Sequence, residues 1–215
     1  MRQLVLKMHV SVDGFVAGPA GESDWIFRSS DEQATDWMVN TLWQAGVHIM
    51  GSRTFQDMAA WWPSSPEAPA APMNEIPKVV FSRRKTLLPR EEGRTNPTLS
   101  GVARALAAKG LKQLPVPPSS ATSWNEARIA GGELADEIAH LKGQPGKFIL
   151  AHGGASFARS LAKLGLVDEY RLLIHPVALG QGLPLFSMLS KPVDLKLVSS
   201  TAFGRGVIAN IYRPM

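Results

Sequence analysis

The chain has no cysteine. That absence excludes a disulfide scaffold, thiolate zinc sites, iron–sulfur clusters and a cysteine nucleophile. It fits a reducing compartment, and cytoplasmic residence is the expectation. Long hydrophobic runs are missing too. No apolar stretch reaches 18 residues, so neither a membrane span nor a membrane partner is expected. At the N-terminus only Leu4 to Met8 precedes Asp13, and Lys7 interrupts it, which is too short for a secretory signal. No internal repeat and no linker between two cores is visible. At about 100–200 residues per domain, a single domain over 1–215 is the expected count.

Apolar residues make up 45% of the chain, enough to pack a core of that size. The net charge of +5 is dispersed, with Arg83-Arg84-Lys85 the only triple basic run and no aromatic-interleaved basic motif. Nucleic acid is therefore not an expected partner; solubility and steering of a polyanionic small molecule are. Prolines are uneven: five of sixteen fall in 61–77 and five more in 88–123, marking those stretches as irregular loops.

Residues 3–10 alternate, with Leu4, Leu6, Met8 and Val10 on one face, which predicts a strand ended by Asp13-Gly14. Ser29, Ser30 or Asp31 caps a helix running to about Ala45, with Asp31 and Glu32 in its first turn. Val47 to Met50 and Lys78 to Ser82 read as buried strands, with a helix starting near Ser52 between them. Leu134, Ile138 and Leu141 give a helix closed by Gly143. Lys147 to Ala151 is a strand, and Ser156 to Lys163 a helix with Gly165 as its C-terminal cap. Val167 to His175 and Lys196 to Tyr212 are strand-rich, the second turning at Gly204-Arg205-Gly206. Strands alternating with helices to residue 165 predict a mostly parallel α/β sheet, and the helix-free end predicts antiparallel C-terminal strands.

Three segments share one pattern: an apolar strand, then glycine with small or basic residues, then a helix or turn. They are Met50-Gly51-Ser52-Arg53-Thr54, Phe81-Ser82-Arg83-Arg84 and Ala151-His152-Gly153-Gly154-Ala155-Ser156. At the carboxyl ends of strands in an open sheet, free N–H groups and the helix dipole attract phosphate. Arginine adds a permanent cation in a planar fork. One such segment is usually only a turn; three in one chain suit a dinucleotide.

With DGFVAG (13–18), PKVVFSR (77–83), HGGASFARSLAKLGLVDEYRL (152–172) and HPVALGQGLPLF (175–186), these segments resemble the dihydrofolate reductase-like superfamily. Within it they are most similar to stand-alone relatives of the reductase domain of the bifunctional riboflavin-biosynthesis deaminase-reductase. Motif order matches from residue 3 to about 213. The resemblance implies a three-layer α/β/α sandwich, NADPH as hydride donor, a small-molecule substrate and a homodimer. It implies 5-amino-6-(5-phosphoribosylamino)uracil reductase-like activity as the family reaction. By position, Gly51, Ser52, Arg53 and Thr54 meet the pyrophosphate, and Gly153, Gly154, Ala155 and Ser156 form the second phosphate turn. Ser82 and Arg83, with Arg84 a further candidate, approach the 2′-phosphate. Ala17 and Gly18 lie beside the nicotinamide, Trp25 offers the substrate a stacking face, and Asp13 faces the substrate. Asp13 is the candidate catalytic proton donor, with hydrogen bonding to the substrate ring or capping of its own turn as alternatives. The helix over 156–164 and the strand after it carry the expected dimer surface.

The sequence departs from the family at three points. Ser52 stands where the cofactor motif usually has arginine. The zero cysteine count means that the deaminase zinc signature is absent. Glu32 and Asp36 both come near the helix position of the folate enzymes' carboxylate without a secure register. Rival readings are weaker. His152-Gly153-Gly154 resembles an esterase oxyanion segment, but no Gly-x-Ser-x-Gly elbow follows. The five histidines show no i, i+4 pair, so no metal is expected. Trp61-Trp62 reads equally as a lid or a loop anchor. The stretch 88–123, with a short helix expected over 102–109, is longer than the family's, a candidate lid or dimer arm. A cofactor-binding protein without catalysis remains the alternative, because the cofactor itself carries the hydride.

Overall fold

The computed structural model describes residues 1–84 and 123–215. The helix expected over 102–109 and all of the proline-rich stretch 88–123 except Ser123 lie outside the described residues.

The chain opens with strand β1 (Leu4–Ser11), a turn and the short strand β2 (Phe15–Ala17). A one-turn helix α1 (Ile26–Ser29) leads to α2 (Glu32–Trp43), then β3 (Ala45–Gly51) and α3 (Ser52–Ala59). A 3₁₀ turn (Trp62–Ser64) and α4 (Ala70–Glu75) precede β4 (Lys78–Phe81). After 122 come β5 (Arg128–Ala130), α5 (Leu134–Gly143), β6 (Phe148–Ala151), α6 (Ala155–Lys163) and β7 (Glu169–His175). The chain ends with β8 (Leu183–Pro184), β9 (Leu195–Ala202) and β10 (Ile208–Pro214).

Eight strands form one sheet in the order β5-β4-β3-β6-β1-β7-β10-β9. The pairs from β5 through β7 are parallel, and β10 runs antiparallel to both β7 and β9. This is the mostly parallel sheet with antiparallel C-terminal strands that the sequence predicts.

The alternation along β1 does not separate a core face from a solvent face. Leu4, Leu6, Met8 and Val10 pack with Ile49, Ile149 and the α5 and α6 residues Ile138, Phe157 and Leu161. Val5, on the other face, packs with Met50, Val80, Leu150 and with Leu42, Phe55 and Met73 from α2, α3 and α4. Helices thus cover both faces, giving three layers.

Local signals explain most boundaries. Of the three candidate caps for α2, Asp31 serves: its Oδ1 accepts from the Ala34 N–H at 2.8 Å. Its Oδ2 accepts from the Arg205 N–H at 2.9 Å, tying the β9–β10 turn to the helix. Ser29 ends α1 instead. Gly165, at φ +64°, closes α6, with the Leu166 N–H donating back to the Leu161 carbonyl.

The stretch 61–77 is more regular than its prolines suggest. Pro69 and Pro72 sit at the start of α4, where the first N–H groups need no intrahelical acceptor. Met73 then enters the core. Trp61 is buried against Phe27 and Trp62, and the Asn74 amide donates to the Trp62 carbonyl, so the tryptophan pair is a loop anchor.

Candidate functional site

The parallel strands deliver their carboxyl ends to one edge of the sheet, and most of the sequence-derived candidates converge there. Gly51 passes from β3 into α3, His152-Gly153-Gly154 from β6 into α6, and Ser82-Arg83-Arg84 follows β4. The first two turns interlock: the Gly154 N–H donates to Thr54 Oγ1 at 2.7 Å, and the Gly51 N–H to the Gly153 carbonyl at 3.4 Å. The Gly153–Gly154 peptide is cis. Gly153, at φ +79°, needs glycine for its backbone, and a Cβ there would lie 2.8 Å from Met8 Sδ; a Cβ on Gly154 would displace the Thr54 hydroxyl, 2.9 Å away. Neither α3 nor α6 has a side-chain N-cap, which leaves first-turn N–H groups for an anion. Arg53 and Ser156 are exposed, and Ser52, Thr54 and Ala155 half-buried. Ser82 is buried, its N–H donating to the Ala130 carbonyl, while Arg83 and Arg84 are exposed in the following turn. Glycine cradle, hydroxyls and cations in this order suit a dinucleotide bearing an extra phosphate.

Ala17 and Gly18 are buried beside the same edge. β2 pairs with β8, and a Cβ on Gly182 would lie 2.3 Å from the Ala17 carbonyl oxygen. Only glycine permits that approach. Glu22 closes the next turn, its carboxylate accepting from the Ala20 N–H at 2.9 Å.

Asp13 is exposed and acts as a tie. One oxygen accepts from the Ser11 hydroxyl, the other from the N–H groups of Leu179 at 2.9 Å and Gly180 at 2.7 Å. The Ser11 hydrogen bond, ahead of the Gly180 amide, holds its carboxyl below the usual range. A group kept ionised and engaged by the amides of residues 179–180 suits fastening that loop, a role none of its three candidate readings named, and not proton donation. Trp25 also departs from expectation. It is 3% exposed and packs edge-on against His175, 5.3 Å between ring centroids, so it presents no open stacking face.

The structure gathers a group that the sequence reading treated as separate strand and surface residues. Lys7, His9 and Ser11 share one face of β1; His48 lies on β3 beside Lys78 of β4, and His175 ends β7 opposite Ser11. Lys7 Nζ lies 3.3 Å from His9 Nε2, His9 Nδ1 2.8 Å from His175 Nε2, and His175 Nδ1 2.8 Å from Ser29 Oγ. His48 and His152 stack edge-on at 4.5 Å. Among the described residues His152 Nε2 and Trp25 Nε1 are buried with no hydrogen-bond partner. Burial pulls Lys7 down to about 8, Lys78 to about 7, His175 to about 4 and His48 to about 3. Burial first, then neighbouring cations, holds His9 and His152 well below the ordinary imidazole range. Among the described residues no ion pair reaches Lys7 or Lys78. Burial is the main cause of every one of these shifts, and Lys7 is 8% exposed where His48 is fully buried. Lys78 is otherwise engaged, donating to the Ile76 carbonyl at 2.6 Å and lying over the Trp124 ring. These residues are up to 168 positions apart, so only strand register brings them together. The available signal was polar residues inside otherwise apolar strands.

Sheet order, interlocked glycine turns and the buried site at the carboxyl edge define a dihydrofolate reductase-like α/β protein. The chain belongs to the RibD C-terminal domain family, which matches residues 2–209. It is 30% identical over 211 residues to the uncharacterized protein YyaP of Bacillus subtilis (strain 168), covering 98% of this chain and 94% of that one. Among solved structures, a protein of Shewanella sp. PV-4 named for riboflavin biosynthesis superposes with a TM-score of 0.68 at 19% identity, covering 100% of this chain and 99% of the other. The diaminohydroxyphosphoribosylaminopyrimidine deaminase/5-amino-6-(5-phosphoribosylamino)uracil reductase of Thermotoga maritima gives 0.62 at 16% identity; all of this chain is covered, but 57% of that one. Membership of this family supports a riboflavin-pathway reductase-like role.

Proposed function

We propose that the protein is an NADPH-dependent reductase of a pteridine- or pyrimidine-type C=N or carbonyl compound, of the kind represented by 5-amino-6-(5-phosphoribosylamino)uracil. The observation that carries this reading is the convergence of three glycine or arginine turns and one buried lysine–histidine site on the same sheet edge. NADPH supplies the hydride from its nicotinamide ring. Gly51 to Thr54 and Gly153 to Ser156 hold the pyrophosphate, while Ser82, Arg83 and Arg84 meet the 2′-phosphate. Ala17 and Gly18, clasped by β8, flank the nicotinamide. Lys7, 8% exposed and held near pKa 8, has a proton to give at neutral pH and replaces Asp13 as the donor. Folate reduction is not favoured: Glu32 and Asp36 are both exposed, and among the described residues no carboxylate is bonded to Lys7, His9 or His175. We further propose a homodimer, with cytoplasmic residence as the working assumption.

The test is NADPH oxidation by purified protein. Oxidation should begin only on addition of a pyrimidine, pterin or carbonyl compound, and Lys7→Met should abolish it while NADPH affinity is kept. If no such compound starts oxidation, the binding-module alternative replaces this reading.

A further inference from the structure

We propose that His9, His175 and Ser29 are positioning residues for Lys7, forming a hydrogen-bond chain of one polarity that aims its ammonium at the substrate. This rests on the reductase reading for the identity of what Lys7 meets. The chain itself follows from geometry.

An ammonium has three donors and no acceptor. At 3.3 Å from Lys7 Nζ, His9 Nε2 must therefore accept. The ring proton of a neutral His9 then sits on Nδ1 and is donated to His175 Nε2 at 2.8 Å. That places the His175 proton on Nδ1, facing Ser29 Oγ at 2.8 Å. Each tautomer is dictated by the one before it, from the sheet interior to the last residue of α1. The chain is held sideways as well: Trp25 packs edge-on against His175. Both histidines are neutral at pH 7, because burial depresses them.

The charged or titratable groups around the Lys7 ammonium are His48 of β3, His152 after β6, Lys78 of β4 and Arg171, its register partner on β7. Arg171 is paired with Glu169 at 2.8 Å. Among the described residues His9 is the one side chain bonded to Lys7 Nζ. Two of its N–H donors are thereby left for a substrate acceptor, in a direction set by His9. In the reduction, hydride adds to the carbon of a C=N or C=O bond and the π electrons move to the heteroatom. That atom then takes a Lys7 proton, leaving a neutral amine that is reprotonated from solvent before the next turnover.

The chain is tested without cofactor or substrate by nitrogen-15 NMR of the histidine rings at pH 7. The expected result is the Nδ1–H tautomer at both His9 and His175; an Nε2–H tautomer at either overturns the proposal. The Lys7 titration, followed through its ε-carbon, should fall by about half a unit or more in His175→Leu and return towards wild type in His175→Gln, whose amide oxygen can accept from His9. A folded His175→Leu protein with the wild-type Lys7 titration also overturns it. If His175→Leu does not fold, the wild-type tautomers decide alone. Once a substrate is in hand, His175→Leu should lower kcat by roughly 10²-fold with NADPH affinity unchanged. Absent turnover in the wild type would remove the reductase reading while leaving the tautomers standing; wrong tautomers with turnover intact would remove the chain alone.

Discussion

At the scale of single residues, the most telling positions are those where no other side chain fits. A methyl group on Gly182 would meet the Ala17 carbonyl at 2.3 Å, and backbone on backbone has little room to give. Gly182→Ala is expected to cost about 1–3 kcal/mol and to loosen the β2–β8 clasp, measured by denaturant unfolding and by NADPH affinity. An unchanged unfolding midpoint would show that the loop relaxes freely. Asp13→Asn tests the tie between the β1–β2 turn and residues 179–180. Thermal stability should fall while the pH dependence of turnover stays as in wild type. A lost limb in that profile would return Asp13 to catalysis. Asp13 was legible as a site-edge residue because it follows the first strand. Its role was not, because two of its three partners are backbone amides 166 and 167 positions away. Trp25 was read as a stacking face because a large aromatic sits near the loop, and composition says nothing of which side of a loop is covered.

At the scale of elements, the sequence announced the long ones well. β1, β3, α5, β6, α6 and β7 carry dense apolar spacing with glycine or polar ends, and those local signals survive into the structure. α4, β2, β5 and β8 were missed because each is short and stabilised by what lies over it. Met73 within a proline-rich stretch and the pairing of Ala17 with Leu183 are tertiary facts. The lysine–histidine row escaped for the same reason. Strand register places it on one face, and buried nitrogens then set its titration. This has a measurable consequence. His48 and His175 sit near 3 and 4 in the folded chain against an ordinary 6.5, so the unfolded chain binds more protons between those values. The histidines' contribution is therefore whole above pH 6.5 and lost as pH falls through 5 towards 4, by roughly 2 kcal/mol for each of these two histidines at pH 5. Lys7 and Lys78, depressed from 10.5 to about 8 and about 7, act with the same sign between neutrality and pH 10. Thermal midpoints should rise from pH 5 to pH 9. A midpoint independent of pH across that range would mean that these groups are solvated.

At the scale of the whole molecule, the sheet brings the candidate residues to one edge, and β9 is its outer strand at the far side among the described residues. β9 is an eight-residue outer strand with Leu197 51% and Val198 46% exposed. In the surface first expected to form a dimer, β7 lies inside the sheet between β1 and β10 and is mostly buried. The β9 edge is the better candidate for a second copy, because an uncapped edge strand with apolar residues invites pairing. Sedimentation at micromolar concentration should give a dimer, and Val198→Lys should shift it towards monomer; a wild-type monomer would retire the proposal. Along the carboxyl edge, the turn after β4 lies three strand spacings from β1, about 14 Å at the usual separation, with the turns after β3 and β6 between them. In the proposed reading the phosphates lie towards β4 and the reacting ring beside β1. The most direct test is calorimetric titration with NADPH and with NADH, in the wild type and in Arg83→Ala. NADPH should bind at least tenfold more tightly than NADH, with the difference largely abolished in Arg83→Ala. Equal affinities in the wild type, or no binding of either nucleotide, would contradict it.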